Sequence, residues 1–331
     1  MKNNVLQLLF RYGSLFVIFG VILFFSLTLP HFFSYANLAD ILRSISIVTF
    51  VAIGVTLSLI VDGFDLSVGS TVSISTVVAA SLMVWYEQPL YIVILVPLLI
   101  GAVIGCVNAF FIVKIRIPDL LATLAVMYIV SGLHKTYTSG YSIYNNMQFQ
   151  DGTKAPGKFS ESFLWLGQGE WLGIPIPVIL LIIAVAVVHI FLTYTRFGRQ
   201  MYVTGGNEEA ARLSGIKVKK VRTLAYIASG MFAAFGGVLF AARIGSGQID
   251  AGAPLLMEAV AAVFVGFSVM GAGKPNVIGT FFGAVLIGVL VNGLTMMNVQ
   301  YFMHDIIKGI VLVLALAVTF YYLYRTRSGK N

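Results

Sequence analysis

Ten apolar runs dominate the chain, at about 12–29, 38–61, 66–86, 89–113, 118–135, 174–195, 222–243, 254–270, 276–297 and 303–323. A bilayer's hydrocarbon core is about 30 Å thick, which about 20 residues of α-helix span. In lipid the backbone must satisfy its own hydrogen bonds, so such runs fold as helices. Over 331 residues, 59% are hydrophobic, only 10% are charged, and the mean hydropathy is +0.94. That composition excludes a soluble domain and predicts an all-α integral membrane protein of about ten transmembrane helices, organised as a single domain over residues 1–331. The 12–29 run follows Lys2 and Arg11 but lacks a small-residue cleavage site, so it reads as an uncleaved first span.

The basic residues set an orientation. With the N-terminus cytoplasmic, ten spans put Lys2, Arg11, Lys114, Arg116, the basic residues of 196–222, Lys274 and Arg325, Arg327 and Lys330 on one side, 15 of the 21 Lys and Arg. Lys135, Lys154, Lys158, Arg243 and Lys308 fall opposite, and Arg43 within a span. This follows the positive-inside rule and accounts for the net charge of +8 without nucleic acid. Both termini are then cytoplasmic, and the long polar loop at about 136–173 lies outside. The lone Cys106 excludes an intramolecular disulfide and reads as a small core residue.

One polar stretch, about 207–214, stands among the spans. Asn207 is placed to cap a short helix whose first turn holds Glu208 and Glu209, where negative charge favours the positive end of the dipole. Ala210 and Ala211 follow, Arg212 falls in the last turn, and Gly215 is placed to end the helix in a left-handed conformation. A second feature is a junction between spans, Asp62-Gly63-Phe64-Asp65-Leu66-Ser67-Val68-Gly69, where the Asp65 carboxylate is expected to cap the following helix, with Ser67 and Gly69 beside it and Phe64 lining a path. Asn108 and Asn292 are polar residues inside spans and are expected to face a solute path, with interhelical bonding as the alternative. They recur in a worn repeat: Gly101 to Asn108 then Asp119, and Gly283 to Asn292 then Asp305. The two copies run in opposite directions, an inverted repeat suited to alternating access. Glu258 and Arg243 are candidates for pairing across 244–253, and Asp305 with Lys308 for an intrahelical pair.

No catalytic constellation is present. His31, His134, His189 and His304 are scattered without metal-ligand spacing, and Gly271-Ala272-Gly273-Lys274-Pro275 lacks the Ser/Thr and upstream glycine of a phosphate loop.

Glu209-Ala210-Ala211 with Gly215 resembles the cytoplasmic coupling motif of ABC importer membrane subunits. Arg196-Phe197-Gly198-Arg199, the 205–215 run and Asp65-Leu66-Ser67-Val68-Gly69 together resemble the simple-sugar permease family, which includes ribose, xylose, galactose and autoinducer-2 permeases. The likeness runs from about Asn37 to Phe320, with a departure at 266–276, where the usual Gly-Gly-Thr run is replaced. The resemblance implies a type II ABC importer-like fold in a bacterial plasma membrane. It implies a chain that is not itself an enzyme and binds no cofactor or metal, with ATP and magnesium used by a separate ATPase. Two cytoplasmic ATPase domains would engage Asn207–Arg212 and Gly215. A second permease copy or homologue and an extracytoplasmic solute-binding protein would complete the assembly, and the solute would be a monosaccharide or a related compound. The competing expectation is a secondary transporter or channel working without an ATPase.

Overall fold

The computed structural model describes residues 17–149, 151–268, 274–300, 302–311, 313–314 and 317. Helices occupy each of the ten expected places: α1 (Val17–Thr28), α2 (Tyr35–Ile60), α3 (Val68–Val84), α4 (Leu90–Ala109), α5 (Asp119–Tyr137), then α6 (Glu161–Gln168) in the polar loop, and α7 (Ile176–Tyr194). Beyond these come α8 (Arg196–Gly206), α9 (Glu208–Leu213), α10 (Val218–Ile244), α11 (Gly252–Ser268), α12 (Val277–Met296) and a helical stretch over 302–311. Among the described residues, five helical segments are both long and apolar enough to cross a membrane: α2, α4 with its continuation to Ile115, α7, α10 and α12. Residues 1–16, the basic tail and 269–273 of the divergent stretch lie outside the described residues.

The centre is built from α2, α3, α10 and α11, whose Ile, Val, Ala and Leu side chains form the largest buried cluster. α10 lies against α2, α3 and α4, and α11 against α12. Small residues permit these approaches, as expected where lipid offers no hydrophobic drive and helices associate by close packing. A Cβ at Gly101 on α4 would collide with the Gly230 carbonyl of α10, and one at Gly105 with the Tyr226 carbonyl. Gly283 meets the Ala262 carbonyl of α11 in the same manner.

Hydrophobicity alone misplaces Cys106. It is exposed, on the α4 face that also presents Val103 and Val107, rather than in a core. In a protein that spans lipid the outer surface is as apolar as the inner one, so an apolar run does not tell the two faces apart.

The polar loop is folded rather than loose. Residues Ile143–Tyr144 (β1) pair antiparallel with Ser246–Gly247 (β4), and Glu170–Trp171 (β2) with Ile174–Pro175 (β3). Phe159 and Phe163 stack and are buried, anchoring α6 over the ends of α3 and α10.

Candidate functional site: the span junction and the capped polar helix

α2 ends at Ile60 and α3 begins at Val68, so residues 61–67 form a break between two helices. Asp62 adopts φ +58°, and the Gly63 N–H returns to the Ser58 carbonyl (3.0 Å). Asp65, 1% exposed, organises the break. Its Oδ1 accepts from the Ser67 N–H (3.0 Å), Ser67 Oγ (2.6 Å) and Asn108 Nδ2 (3.2 Å), while Oδ2 accepts from Ser229 Oγ (2.9 Å) on α10. A buried carboxylate is tolerated only when so satisfied. Gly69 lets α3 approach α11: a Cβ there would stand 3.2 Å from the Leu256 side chain.

Asn108 belongs to this hub. It has no exposed surface, and its Nδ2 also donates to Ser67 Oγ (2.7 Å). These bonds join α4 to the junction, the interhelical bonding that was the alternative expectation for Asn108. Asn292 sits apart, half-buried on α12, donating to Asn37 Oδ1 of α2 (2.9 Å). Phe64 is half-buried and stacks on Phe264 of α11, with ring centroids 6.4 Å apart. The sequence-predicted residues thus fall into separate groups: Phe64, Asp65, Ser67, Gly69 and Asn108 around the junction, Asn292 on its own pair, and residues 207–215 at the polar helix.

At α9 the local chemistry runs as the residues dictate. Asn207 Oδ1 accepts the Ala210 N–H (2.9 Å), Arg212 reaches Glu209 (3.3 Å), and Gly215 takes φ +80°. Ala211 is buried, whereas the other five residues of the helix are exposed, including Leu213 at 81%. α8, an amphipathic helix capped by Thr195 Oγ1 on the Gly198 N–H (3.0 Å), leads directly into it. A cleft of about 660 Å³ opens beside α9, lined among others by Arg116, Asp119, Glu208, Arg212, Lys217 and Arg222.

Three residues here have no site role in the sequence reading, although Asp119 closes the first copy of the repeat. Arg222, on the first turns of α10, pairs with Asp119 Oδ2 (2.5 Å) and with Glu208 Oε2 (3.3 Å), and Tyr226 OH donates to the same Asp119 oxygen. Their signal was available only in part: a lone acid following Pro118 at a helix start, and an arginine and a tyrosine one helical turn apart. Nothing in the sequence brings Asp119 to them across 103 residues.

Outside this region, Glu258 of α11 pairs with Lys308 (3.2 Å), both side chains being nearly buried. The expected Glu258–Arg243 pair does not form, since Arg243 donates to Ser44 Oγ (2.6 Å) on α2. Lys308 also reaches Asp305 three residues earlier (3.3 Å).

Helices of membrane-spanning length, a broken junction tied by a buried carboxylate, and a capped polar helix projecting between spans define a polytopic membrane permease. Comparison with known proteins gives the family. The model described as branched-chain amino acid transport system / permease component matches residues 37–316, and the chain belongs to that family. It is 35% identical to the ribose import permease protein RbsC of Escherichia coli K12 over 305 residues, 92% of each chain. It is 34% identical to RbsC of Bacillus subtilis over 313 residues, 95% of this chain and 92% of the relative. With the galactose/methyl galactoside import permease protein MglC of Escherichia coli K12 it shares 34% over 318 residues, 93% of this chain and 92% of the relative. No solved structure matches the chain. The protein is a multi-pass permease subunit of an ABC importer, not an enzyme, and resides in the inner membrane.

Proposed function

We propose that this chain forms the translocation path for a monosaccharide or a closely related polyhydroxylated solute, with α9 as the helix on which a partner ATPase acts. The observation that carries the mechanism is the form of α9: a six-residue helix capped by Asn207 between membrane helices, with five of its six residues exposed, Leu213 among them at 81%. Full-length similarity to ribose and galactose permeases supports the solute class. In this reading two cytoplasmic ATPase domains, using ATP and magnesium, press on residues 207–215 of two permease copies, a copy with a homologue serving equally. An extracytoplasmic binding protein docks on the folded 136–173 loop. Residues Gly101–Asn108 and Gly283–Asn292 belong to the two copies of an inverted repeat, and Phe64 and Asn292 are the side chains facing the path.

ATPase closure would bias the permease between outward- and inward-facing states in proportion to the difference in contact energy that α9 makes in each. The test is ATP-dependent uptake into vesicles holding the permease, its ATPase and its binding protein, with ribose, galactose and other pentoses and hexoses as solutes. Glu209→Lys or Gly215→Glu should abolish uptake while the protein still inserts and the binding protein still docks. Normal uptake by both variants would refute the coupling role of α9, and uptake without ATP would refute the ATP-driven mechanism.

A further inference from the structure

The break between α2 and α3 is held at two points, and one of them leads to α9. On the first side stands the Asp65 hub. On the second, Thr123 of α5 donates from Oγ1 to the Phe64 carbonyl (3.1 Å) and accepts the Leu66 N–H (3.2 Å). One turn before Thr123 is Asp119, and a Cβ on Gly63 would collide with Tyr226 OH and stand 2.6 Å from Asp119 Oδ2. The junction backbone therefore rests directly on the Asp119–Tyr226 contact. Arg222 extends that contact outward to Glu208 on α9.

We propose that the Arg222–Asp119 ion pair positions the span junction according to where α9 stands, so that a shift of α9 is delivered through Arg222 and Asp119 to Gly63 and Phe64. The proposal rests on the reading of α9 as the helix an ATPase moves, and it assigns positioning roles to Arg222 and Asp119. Geometry supplies three reasons. The guanidinium divides its two terminal nitrogens between acids on different elements, Nη1 to Glu208 and Nη2 to Asp119, so displacement of one acid alters the hold on the other. Both side chains of the inner pair are mostly removed from solvent, at 17% and 19% exposure, so solvent screens them less than it would a surface pair. The outer pair, with Glu208 61% exposed, borders the cleft and leaves α9 room to travel. Phe64, at the receiving end, stacks on α11, so the same displacement reaches the second half of the molecule.

The experiment compares Arg222→Gln, Asp119→Asn and the double variant in vesicles holding the ATPase and binding protein, measuring ATP hydrolysed and solute taken up together. The expected result is retained hydrolysis with uptake per ATP reduced about 2- to 30-fold in each single variant, the range of coupling that intermediate residues carry. The double variant should lose less than the two single losses combined, because the pair acts as a unit. Melting temperature is recorded in parallel. If uptake and hydrolysis fall together at an unchanged ratio, the pair is structural and the proposal is overturned, as it is if the ratio and the uptake both hold. Should the single variants fail to assemble, Tyr226→Phe removes one bond to Asp119 at nearly constant volume and is read by the same ratio. Glu209→Lys and Gly215→Glu serve as the separate controls: intact uptake by both removes α9 from the mechanism altogether, whereas an altered α9 response with an unaltered Arg222 response removes only the relay.

Discussion

Asn108 and Asp65 lie 43 residues apart in the chain and 3.2 Å apart across the interior, where the amide of one closes a hydrogen-bonded ring with the carboxylate of the other and the hydroxyl of Ser67. The pair ties α4 to the break between α2 and α3. Removing the amide withdraws one donor from a fully buried carboxylate and a second from Ser67. Asn108→Ala is therefore expected to cost about 1–3 kcal/mol, the range for leaving buried polar groups short of a partner. A lowered melting temperature in detergent, with apparent solute affinity unchanged in the protein that remains, is the outcome that fits. Weakened affinity at full stability would return Asn108 to the path.

Close backbone contact between α4 and α10 yields a second expectation. Gly101 and Gly230 face each other so closely that a methyl group on either would meet the opposite carbonyl oxygen. Gly230→Ala should force the helices apart and cost about 1–3 kcal/mol, as overpacking does in a filled interior. Gly132 on α5 meets nothing within 4 Å, so Gly132→Ala should be neutral or slightly stabilising. Equal melting temperatures for the two variants would show that α4 and α10 do not pack this tightly.

Helix placement was largely legible in the sequence because run length and backbone satisfaction in lipid leave few choices. The polar helix was legible for a different reason: Asn207, two glutamates and Gly215 are local signals whose partners lie within a few residues. Side-chain partnerships across helices were not. Glu258 was matched with Arg243, yet it meets Lys308, because each partner is chosen by rotation about a helix axis, and an apolar periodicity blurred by lipid does not encode that rotation. Asn108 and Asn292 look alike in the repeat, while one lies in a carboxylate hub and the other in an amide pair with Asn37. The meeting of Asp119, Arg222 and Tyr226 is hidden for the same reason, each being ordinary in its own stretch.

The orientation proposed from charge is open to direct test. In a Cys106→Ser background, a cysteine at Ser214 is expected to react with an impermeant maleimide only from the cytoplasmic side. One at Ser160, the N-cap of α6, should react only from outside. Cys106 has to be removed first because it is exposed. Labelling in the reverse sense would overturn the proposed orientation, through either an odd number of spans before residue 196 or an external N-terminus.

Glu258 and Lys308 are 14% and 12% exposed, and their contact joins α11 to the 302–311 helix. Taking two charges out of water is costly, and the mutual attraction repays it only while both remain. Lys308→Met should thus leave an uncompensated carboxylate in the interior and destabilise the protein by about 3–5 kcal/mol. Asp305 gives no relief, since it is itself an acid. Glu258→Gln in the same chain removes the stranded charge, so the double variant is expected to recover most of the lost stability. Thermal melts of the two single variants and the double variant measure the interaction directly. A pair that merely decorates the surface would show additive losses, each near the 0–1 kcal/mol typical of exposed ion pairs. Strong non-additivity with recovery in the double variant would establish that this buried pair fastens the last described helix to the core.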